Sequence, residues 1–347
     1  MYEQFQNILK MGPIGQIGKL STGDSLDMPP HDESAILSND ATIKDMEGAS
    51  VAYVAGMFST LAIFVKAVTD VADGEKPTAE EFLQNLIASF YINLFGMSIE
   101  GTLSDVIGNL TALRTLALIG CSFSGTLPSE LGNLSQLEFF ALNSNKFMGH
   151  ILPSLCKLSK VTLLDLADNN LNGPIPNSRD HGAGFDQLII AQHFHLNQNM
   201  LQGSIPDYLF NSSMALKHIL LDRNNFSEPI PASIGVLPKL EALRVNDNAF
   251  TGPVPAINNL TKLHVLMLSN NKLSGLMPNL TGMVGLENVD LSNDSFGPSE
   301  APSWFTKLDK LMTLQMQHQT NVNASMPLAR LSRNERHRWR AMDAPSI

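Results

Sequence analysis

Residues 158–176 read LSKVTLLDLADNNLNGPIP, and variants of this phrase recur along most of the chain. The shared pattern is LxxLxxLxLxxNxLxGxIP, in which Leu164 and Leu166 flank one variable position and Asn169 follows three residues later. The Asn position recurs at intervals of 23 to 30 residues, as Cys121, Asn145, Asn169, Asn199, Asn224, Asn248, Asn271 and Asp294. A period of this length is typical of a solenoid, whose coils bury their apolar side chains against one another.

The leucine spacing predicts one short parallel strand per coil, with the leucines turned inward. The Asn amide can hydrogen-bond to the backbone of its own turn and of the neighbouring coil, where buried polar groups need partners. The single long interval is explained by an insertion around Arg179–Gly184. We therefore predict a leucine-rich-repeat solenoid over residues 97–318, in a chain that is α/β overall.

Composition excludes several other classes of protein. The chain has 347 residues, 44% of them hydrophobic, and a formal net charge of -10, which disfavours binding to nucleic-acid phosphates. Its two cysteines, Cys121 and Cys156, form neither a disulfide framework nor a zinc-type spacing. The N-terminus has no signal-peptide pattern, and the apolar stretch Val51–Val68 is too short and interrupted to span a membrane. We expect no nucleic-acid partner, no membrane span and, as the chain is written, a cytoplasmic location.

The repeats resemble the ectodomains of plant leucine-rich-repeat receptor-like kinases. The phrases that carry this resemblance are LIGCSFSGTLP at 118–128, HFHLNQNMLQGSIP at 193–206 and LSNNKLSG at 268–275. The resemblance implies recognition of a protein or small ligand on the concave strand face, and an extracellular, plasma-membrane ancestry for this region. The peroxide-sensing cysteine pairs expected of the most similar subgroup have no evident equivalent, and the chain contains no kinase pattern.

Candidate ligand-binding residues on the concave face occupy the variable positions between the leucines. They are Gln192, His193, His195, Lys217, His218, Asp222, Arg223, Arg244, Asp247 and His264. His193 and His195 share a face by strand alternation, and His218 occupies the column of His193 in the next coil, so three imidazoles could converge. Metal binding is the alternative interpretation, but the HFH phrase recurs in the resembled family as part of the repeat. We therefore predict no metal site and no cofactor.

Asn-X-Ser/Thr sequons predict a glycoprotein. They occur at Asn109, Asn133, Asn211, Asn225, Asn259, Asn279, Asn293 and Asn323, and none occurs before residue 109. The alternative is that the repeat generates Asn-Leu-Thr/Ser for packing reasons alone. The sequence does not decide between the two.

Residues 17–86 resemble the C-terminal portion of plant methylthioadenosine/S-adenosylhomocysteine nucleosidases. The matching phrases are LSTGDSLDM at 20–28, ILSNDATIKDMEGASVAYVAG at 36–56 and AIFVKAVTDVADGEKPTAEEFLQNL at 62–86. The resemblance implies a truncated α/β fragment of the nucleoside phosphorylase type, which we place at 17–95.

By this resemblance Asp70 is the general acid that protonates the leaving adenine. Glu47 binds the ribose hydroxyls, Met46 packs on the sugar, and Leu26 and Lys44 line the purine pocket. Cleavage of the N-glycosidic bond also needs a carboxylate that activates water, and the part of the enzyme that carries it has no counterpart in this sequence. We expect these five residues to be the remnant of a site.

The two ends match neither family. MYEQFQNILKMGPIGQI resembles the start of one helix in the methionine-rich domain of the signal recognition particle GTPase subunit, and we predict a helical stub at 1–16. Residues 319–347 form a basic tail without repeat periodicity, which we predict to be disordered. We interpret the chain as a chimeric gene product whose main function is recognition. The alternative is a nucleosidase-like protein of nucleoside metabolism and methionine salvage, so its status as an enzyme is left open, leaning to no.

Overall fold

The structure is a computed structural model that describes residues 19–21, 41–44, 91–96, 101–297, 302, 304 and 307–316. The chain divides into two compact units, residues 1–64 and 65–347. In the first unit the described residues form two strands, Lys19–Ser21 and Ala41–Lys44, which pair in parallel. The predicted helical stub at 1–16 and the predicted tail at 319–347 lie outside the described residues.

In the second unit, one sheet carries the leucine-flanked strands of the repeat. Its ten described strands pair in parallel with their neighbours along the chain. In chain order they are Tyr91–Phe95, Thr115–Ile119, Phe139–Ala141, Leu163–Asp165, His193–His195, His218–Leu220, Ala242–Arg244, Val265–Met267, Asn288–Asp290 and Thr313–Gln315. The predicted solenoid of stacked parallel strands is thus confirmed.

A second parallel sheet of nine described strands is formed by the other half of each coil. The strands are Gly101–Thr102, Phe123–Thr126, Lys146–His150, Asn170–Gly173, Met200–Gly203, Asn225–Pro229, Ala249–Gly252, Lys272–Gly275 and Ser295–Phe296. Our prediction of one strand per coil is therefore wrong. The residues after the repeated Asn alternate between exposed and buried, as Asn170 and Leu171 do, and are extended enough to pair with the next coil.

The ten-stranded sheet begins upstream of the start that we placed at residue 97. Tyr91–Phe95 pairs in parallel with Thr115–Ile119 over its full length. Its side chains alternate, with Ile92 and Leu94 buried and Tyr91 and Phe95 exposed. The first strand of the solenoid sheet therefore lies within the segment that we assigned to the nucleosidase-like fragment.

A ladder of asparagines links the coils. The Asn169 side chain accepts a hydrogen bond from the Phe147 N–H at 3.0 Å and donates to the carbonyl oxygens of Leu142 and Leu166 at 3.0 and 3.2 Å. The predicted bonding to the turn and to the neighbouring coil is confirmed. In the first coil the Cys121 thiol takes this position and donates to the Leu94 and Ile119 carbonyls at 3.5 and 3.4 Å.

Beneath the nine-stranded sheet lies a column of large buried side chains. Phe123 stacks on Phe147 with ring centroids 6.1 Å apart, and Phe226 stacks on Phe250 at 6.0 Å. Together with the inward leucines these rings form the continuous core that no single coil could close. These rings occupy the position two residues after the repeated Asn, for which the repeat pattern predicts a leucine.

Short helices complete several coils. The 3-10 helices are Asp105–Asn109, Ser129–Asn133, Pro153–Lys157, Phe185–Gln187 and Ala232–Val236. The predicted insertion forms one α-helical turn, Ser178–His181, whose first turn is capped by the Asn177 side chain accepting from the Asp180 N–H.

Candidate functional site

Four of the predicted ligand-binding residues lie within strands of the ten-stranded sheet, on its outer face, which we define as the face turned away from the leucine core. They are His193, His195, His218 and Arg244. In the strand His193–His195 the central Phe194 is buried and packs against Phe185, with ring centroids 5.3 Å apart. The flanking His193 and His195 therefore point to the outer face. The same alternation holds in His218–Leu220, where Ile219 faces the core.

Three imidazole rings converge on this face. His193 lies directly opposite His218 in the parallel register, and their ring centroids are 4.5 Å apart. The His195 ring is 5.6 Å from that of His193 and 5.8 Å from that of His218, to which it is nearly parallel. One ring nitrogen from each residue lies within 4.8 Å of the other two. We refer to these three residues as the histidine cluster.

Asp165, which the repeat spacing did not reveal, supports the cluster from the preceding coil. It lies opposite His195 in the parallel register, and its Oδ2 is 3.3 Å from His195 Nδ1. Its other oxygen accepts a hydrogen bond from the Ala167 N–H at 3.0 Å, which fixes the carboxylate. Both Asp165 and His195 are buried. The 30-residue interval that separates them obscured this column in the sequence.

Burial shapes the electrostatics of the cluster. It lowers the pKa of His193 to about 3, helped by the neighbouring charges of His218, His195 and Lys217. Burial also lowers the pKa of His218, again with help from His195, while Glu241 opposes the shift. Both rings are therefore neutral near physiological pH, because loss of water disfavours the charged imidazolium.

Next to the cluster, Asp222 and Arg244 form an ion pair. Arg244 donates to the Asp222 carboxylate at 3.1 Å, and Asp222 is fully buried while the arginine side chain is partly exposed. Burial raises the pKa of the Asp222 carboxyl, and the Arg244 guanidinium acts in the opposite direction. The pair thus places a fixed positive group at the surface of the sheet, held by an anion beneath it.

A second polar group follows the ends of the strands. Asp247 lies 3.8 Å from the exposed Arg223 and accepts hydrogen bonds from Asn246 and Asn270 at 2.6 and 2.7 Å. Asn293 in turn donates to Asn270 at 2.7 Å. These residues form a hydrogen-bonded row across neighbouring coils.

The remaining predicted residues do not join the cluster. Gln192 and Lys217 each immediately precede a strand, His193–His195 and His218–Leu220 respectively. The Lys217 N–H donates a hydrogen bond to the Gln192 carbonyl oxygen at 2.7 Å. His264 immediately precedes the strand Val265–Met267, which lies two places beyond His218–Leu220 in the sheet, and its Nδ1 is 2.9 Å from the Gly285 carbonyl oxygen.

Most of the sequon asparagines are accessible. Asn109, Asn133, Asn225, Asn259, Asn279 and Asn293 are exposed, Asn211 is half-buried, and Asn323 lies outside the described residues. Glycosylation therefore stays a prediction, compatible with access to seven of the eight positions.

The nucleosidase-type residues fall almost entirely outside the part of the chain that the structure describes. Leu26, Met46, Glu47 and Asp70 lie outside the described residues, and Lys44 is the last residue of the strand Ala41–Lys44. Their predicted roles therefore stay predictions.

The two cysteines are poor candidates for redox chemistry. Both are buried, and burial together with the charge of Asp186 raises the pKa of the Cys156 thiol to about 12. A thiol that stays protonated is a weak nucleophile. In the described part of the chain, no helix has the length and hydrophobicity that a membrane crossing requires.

Comparison with known proteins agrees with the geometry of the sheets. The Leucine Rich Repeat family model matches residues 112–134 and 262–283. The crystal structure of the Arabidopsis receptor kinase HAESA, in complex with the peptide hormone IDA and the co-receptor SERK1, superposes with a TM-score of 0.63 and 27% identity, covering 73% of this chain and 41% of that one. The repeat region is a leucine-rich-repeat solenoid. A probable leucine-rich repeat receptor-like protein kinase of Arabidopsis thaliana is 44% identical over 63 residues, 18% of this chain and 7% of the relative.

A different relative matches the N-terminal part of the chain. A 5'-methylthioadenosine nucleosidase of Arabidopsis thaliana is 58% identical over 92 residues, which are 26% of this chain and 32% of the relative. The chain thus spans about a third of that nucleosidase and less than half of the receptor ectodomain. The predicted combination of receptor-type repeats with a nucleosidase fragment is confirmed.

Proposed function

We propose that the leucine-rich repeats bind an extended peptide or protein segment on the outer face of the ten-stranded sheet, which we take to be the concave face. The observation that carries this proposal is the in-register array of part-buried polar side chains around His193, His218 and Arg244. Side chains that are already fixed by neighbouring strands lose little conformational entropy on binding. The similarity to a receptor solved with a peptide hormone supports a ligand of this chemistry.

The charged side chains beside the strands of this face favour a peptide that carries both positive and negative charges. Lys217 and Arg223 provide cations, whereas Asp247 and Glu241 provide anions on adjacent coils. An extended segment that crosses several coils would meet each in turn, and complementary charges would fix its register.

A phage-displayed library of random dodecapeptides, selected on the purified full chain, tests the proposal. We expect enriched peptides whose affinity falls at least about tenfold in Lys217→Glu and Arg223→Glu, because reversed charges repel the peptide. Lys146→Glu and Lys272→Glu are matched controls, since both lysines are exposed on the nine-stranded sheet. Peptides that lose affinity only in the two control variants would place the binding surface on the wrong sheet.

The nucleosidase-like segment supports a second candidate function, because it is 58% identical to a nucleosidase over 92 residues. We propose that the chain nevertheless releases no measurable adenine from methylthioadenosine. Positioning of the substrate and activation of the attacking water each contribute orders of magnitude to the rate, and the water-activating carboxylate has no counterpart in this sequence. Chromatographic measurement of adenine, with the Asp70→Asn variant as the comparison, tests this. Release that exceeds the background and disappears in Asp70→Asn would establish the enzymatic alternative.

A further inference from the structure

The histidine cluster has three nitrogen atoms that nothing in the described chain satisfies. His193 Nδ1, His195 Nε2 and His218 Nδ1 are buried and have no hydrogen-bond partner among the residues that the structure describes. Burying a polar atom without a partner is unfavourable by roughly 1–3 kcal/mol. Three such atoms on adjacent strands therefore destabilise the folded chain unless a ligand binds to them.

Asp165 prepares one of these rings for a ligand. Because its Oδ2 lies 3.3 Å from His195 Nδ1, the proton of a neutral imidazole is favoured on Nδ1. The Nε2 lone pair is then available on the opposite side of the ring, at the atom that lacks a partner. A carboxylate that holds the far nitrogen of a histidine is the usual second partner of a metal-bound imidazole.

The donor set selects one class of ligand. Neutral imidazoles are good ligands for Zn²⁺ and similar transition-metal ions, whereas Mg²⁺ and Ca²⁺ prefer oxygen atoms.

We propose that His193, His195 and His218 together bind one divalent transition-metal ion of the Zn²⁺ type, with Asp165 as the residue that positions His195. Zn²⁺ binds imidazole nitrogen at about 2.0–2.1 Å, so tetrahedral ligand atoms lie about 3.3–3.4 Å apart. The nitrogens of the cluster lie within 4.8 Å of one another, so binding requires the side chains to bring them at most about 1.5 Å closer together. This proposal departs from our sequence-based expectation of no metal site.

Three protein ligands leave a fourth tetrahedral position vacant. His193 and His218 are only half-buried, so this position opens toward the outer face of the sheet. Water, or a donor atom from a molecule bound on that face, can complete the coordination. The metal site does not depend on the proposed peptide binding, because the three ligands all belong to the chain itself.

Direct titration tests the site. The untagged full chain, freed of metal with a chelator and dialysed, is titrated with Zn²⁺ by calorimetry, and with Co²⁺ to record the visible absorption of a tetrahedral complex. We expect one equivalent to bind, and the affinity for it to fall at least about 100-fold in His195→Gln and in a triple His→Gln variant of the cluster. Asp165→Asn should weaken binding by about 10- to 100-fold.

His150→Gln and His264→Gln are the control variants, because both histidines lie outside the cluster. Neither should change the affinity or the stoichiometry. Thermal unfolding guards against misfolding, since Zn²⁺ should raise the Tm of the native chain and leave the Tm of the triple variant unchanged. Retention of the tight equivalent by a folded triple variant, or failure of the native chain to bind Zn²⁺ more tightly than that variant, would overturn the proposal.

Discussion

The outer faces of the two parallel sheets differ in how far water reaches their side chains. On the ten-stranded sheet Asp165, His195 and Leu220 are only 8–9% exposed, although they point away from the leucine core. On the nine-stranded sheet the corresponding outward residues Met148 and Met200 are 49% and 44% exposed. On the central strands of the ten-stranded sheet, side chains of adjacent strands therefore cover one another. This cover is lost at the first strand, where Tyr91 and Phe95 are 41% and 57% exposed.

This difference supports the outer face of the ten-stranded sheet as the binding face that we propose. Partial burial fixes the rotamers of polar groups and shifts their pKa values, as it does for His193, His218 and Asp222. Fully exposed groups remain solvated and mobile. The binding face that we propose depends on the first environment. Four predictions test the shared core and the two outer faces.

The largest effect is expected inside the core that both sheets share. Phe250→Ala should lower the free energy of unfolding by about 3–5 kcal/mol, because it removes a fully buried ring from the stack with Phe226. Urea unfolding followed by circular dichroism measures the loss. Met148→Ala is the control and should change the stability by less than about 0.5 kcal/mol. Equal losses in both variants would mean that the phenylalanine column does not support the core.

Asp294 occupies the repeated Asn position, and its replacement should have the next largest effect. Burial raises the pKa of its carboxyl to about 7, with hydrogen bonds from the Leu273 and Asn271 backbones acting against the shift and the Asp290 charge adding to it. The folded state then binds the Asp294 proton more tightly than the unfolded state does. The contribution of this group to the free energy of unfolding is therefore fully present below pH 3.8 and is lost as the pH rises toward 7.

We therefore expect Asp294→Asn to stabilise the chain, and to do so by about 2–3 kcal/mol more at pH 8 than at pH 5. Thermal and urea unfolding at the two pH values provide the measurement. Asp105→Asn is the control, because Asp105 is exposed at the start of the 3-10 helix Asp105–Asn109 and does not contribute to the shift at Asp294. A gain that is independent of pH would show that the carboxyl is not protonated in the folded chain.

The outer faces themselves can be compared with one substitution on each. Leu220→Ala on the ten-stranded sheet should destabilise the chain by about 2 kcal/mol, at the lower end for a buried leucine. Met200→Ala on the nine-stranded sheet should have an effect below about 0.5 kcal/mol, since Met200 is largely solvated. Unfolding midpoints measured side by side decide the matter, and a reversed order would remove the contrast on which the proposed binding face depends.

The smallest effect is expected at an ion pair that lacks burial. Arg114 and Glu138 immediately precede two adjacent strands of the ten-stranded sheet, Thr115–Ile119 and Phe139–Ala141. Their side chains lie 3.4 Å apart and are both about half exposed. Arg114→Ala should lower the stability by less than about 1 kcal/mol, and 1 M salt should abolish the difference. A larger, salt-resistant loss would show that burial of the outer face extends to this end of the sheet.

The sequence predicts the solenoid well because its leucines and asparagines serve packing and hydrogen bonding that recur in every coil. The alternation of Phe194 between His193 and His195 likewise puts the two imidazoles on one face through strand geometry alone. Convergence with His218 follows from the repeat register. These features depend on the spacing of residues within a coil and from one coil to the next, which can be read from a single sequence.

The features that escaped prediction depend on neighbours from other coils. The second sheet has strands of two to five residues, which are too short for alternation to stand out from the surrounding turns. Asp165 meets His195 only because the insertion is looped out of the register, so counting a constant period misaligns them. The burial that lowers the pKa of His193 comes from several strands at once and leaves no local signature.

The turn Ser178–His181 holds extra chain without disturbing the coils on either side of it. Ser178 donates hydrogen bonds to the Asp186 carboxylate from its backbone N–H at 2.9 Å and from its hydroxyl at 2.6 Å. These two bonds hold the ends of the insertion together. Leu163–Asp165 and His193–His195 therefore still meet residue for residue. We therefore expect a short fluorescent or affinity tag grafted at Gly182, between those closed ends, to leave the strands of the histidine cluster in place.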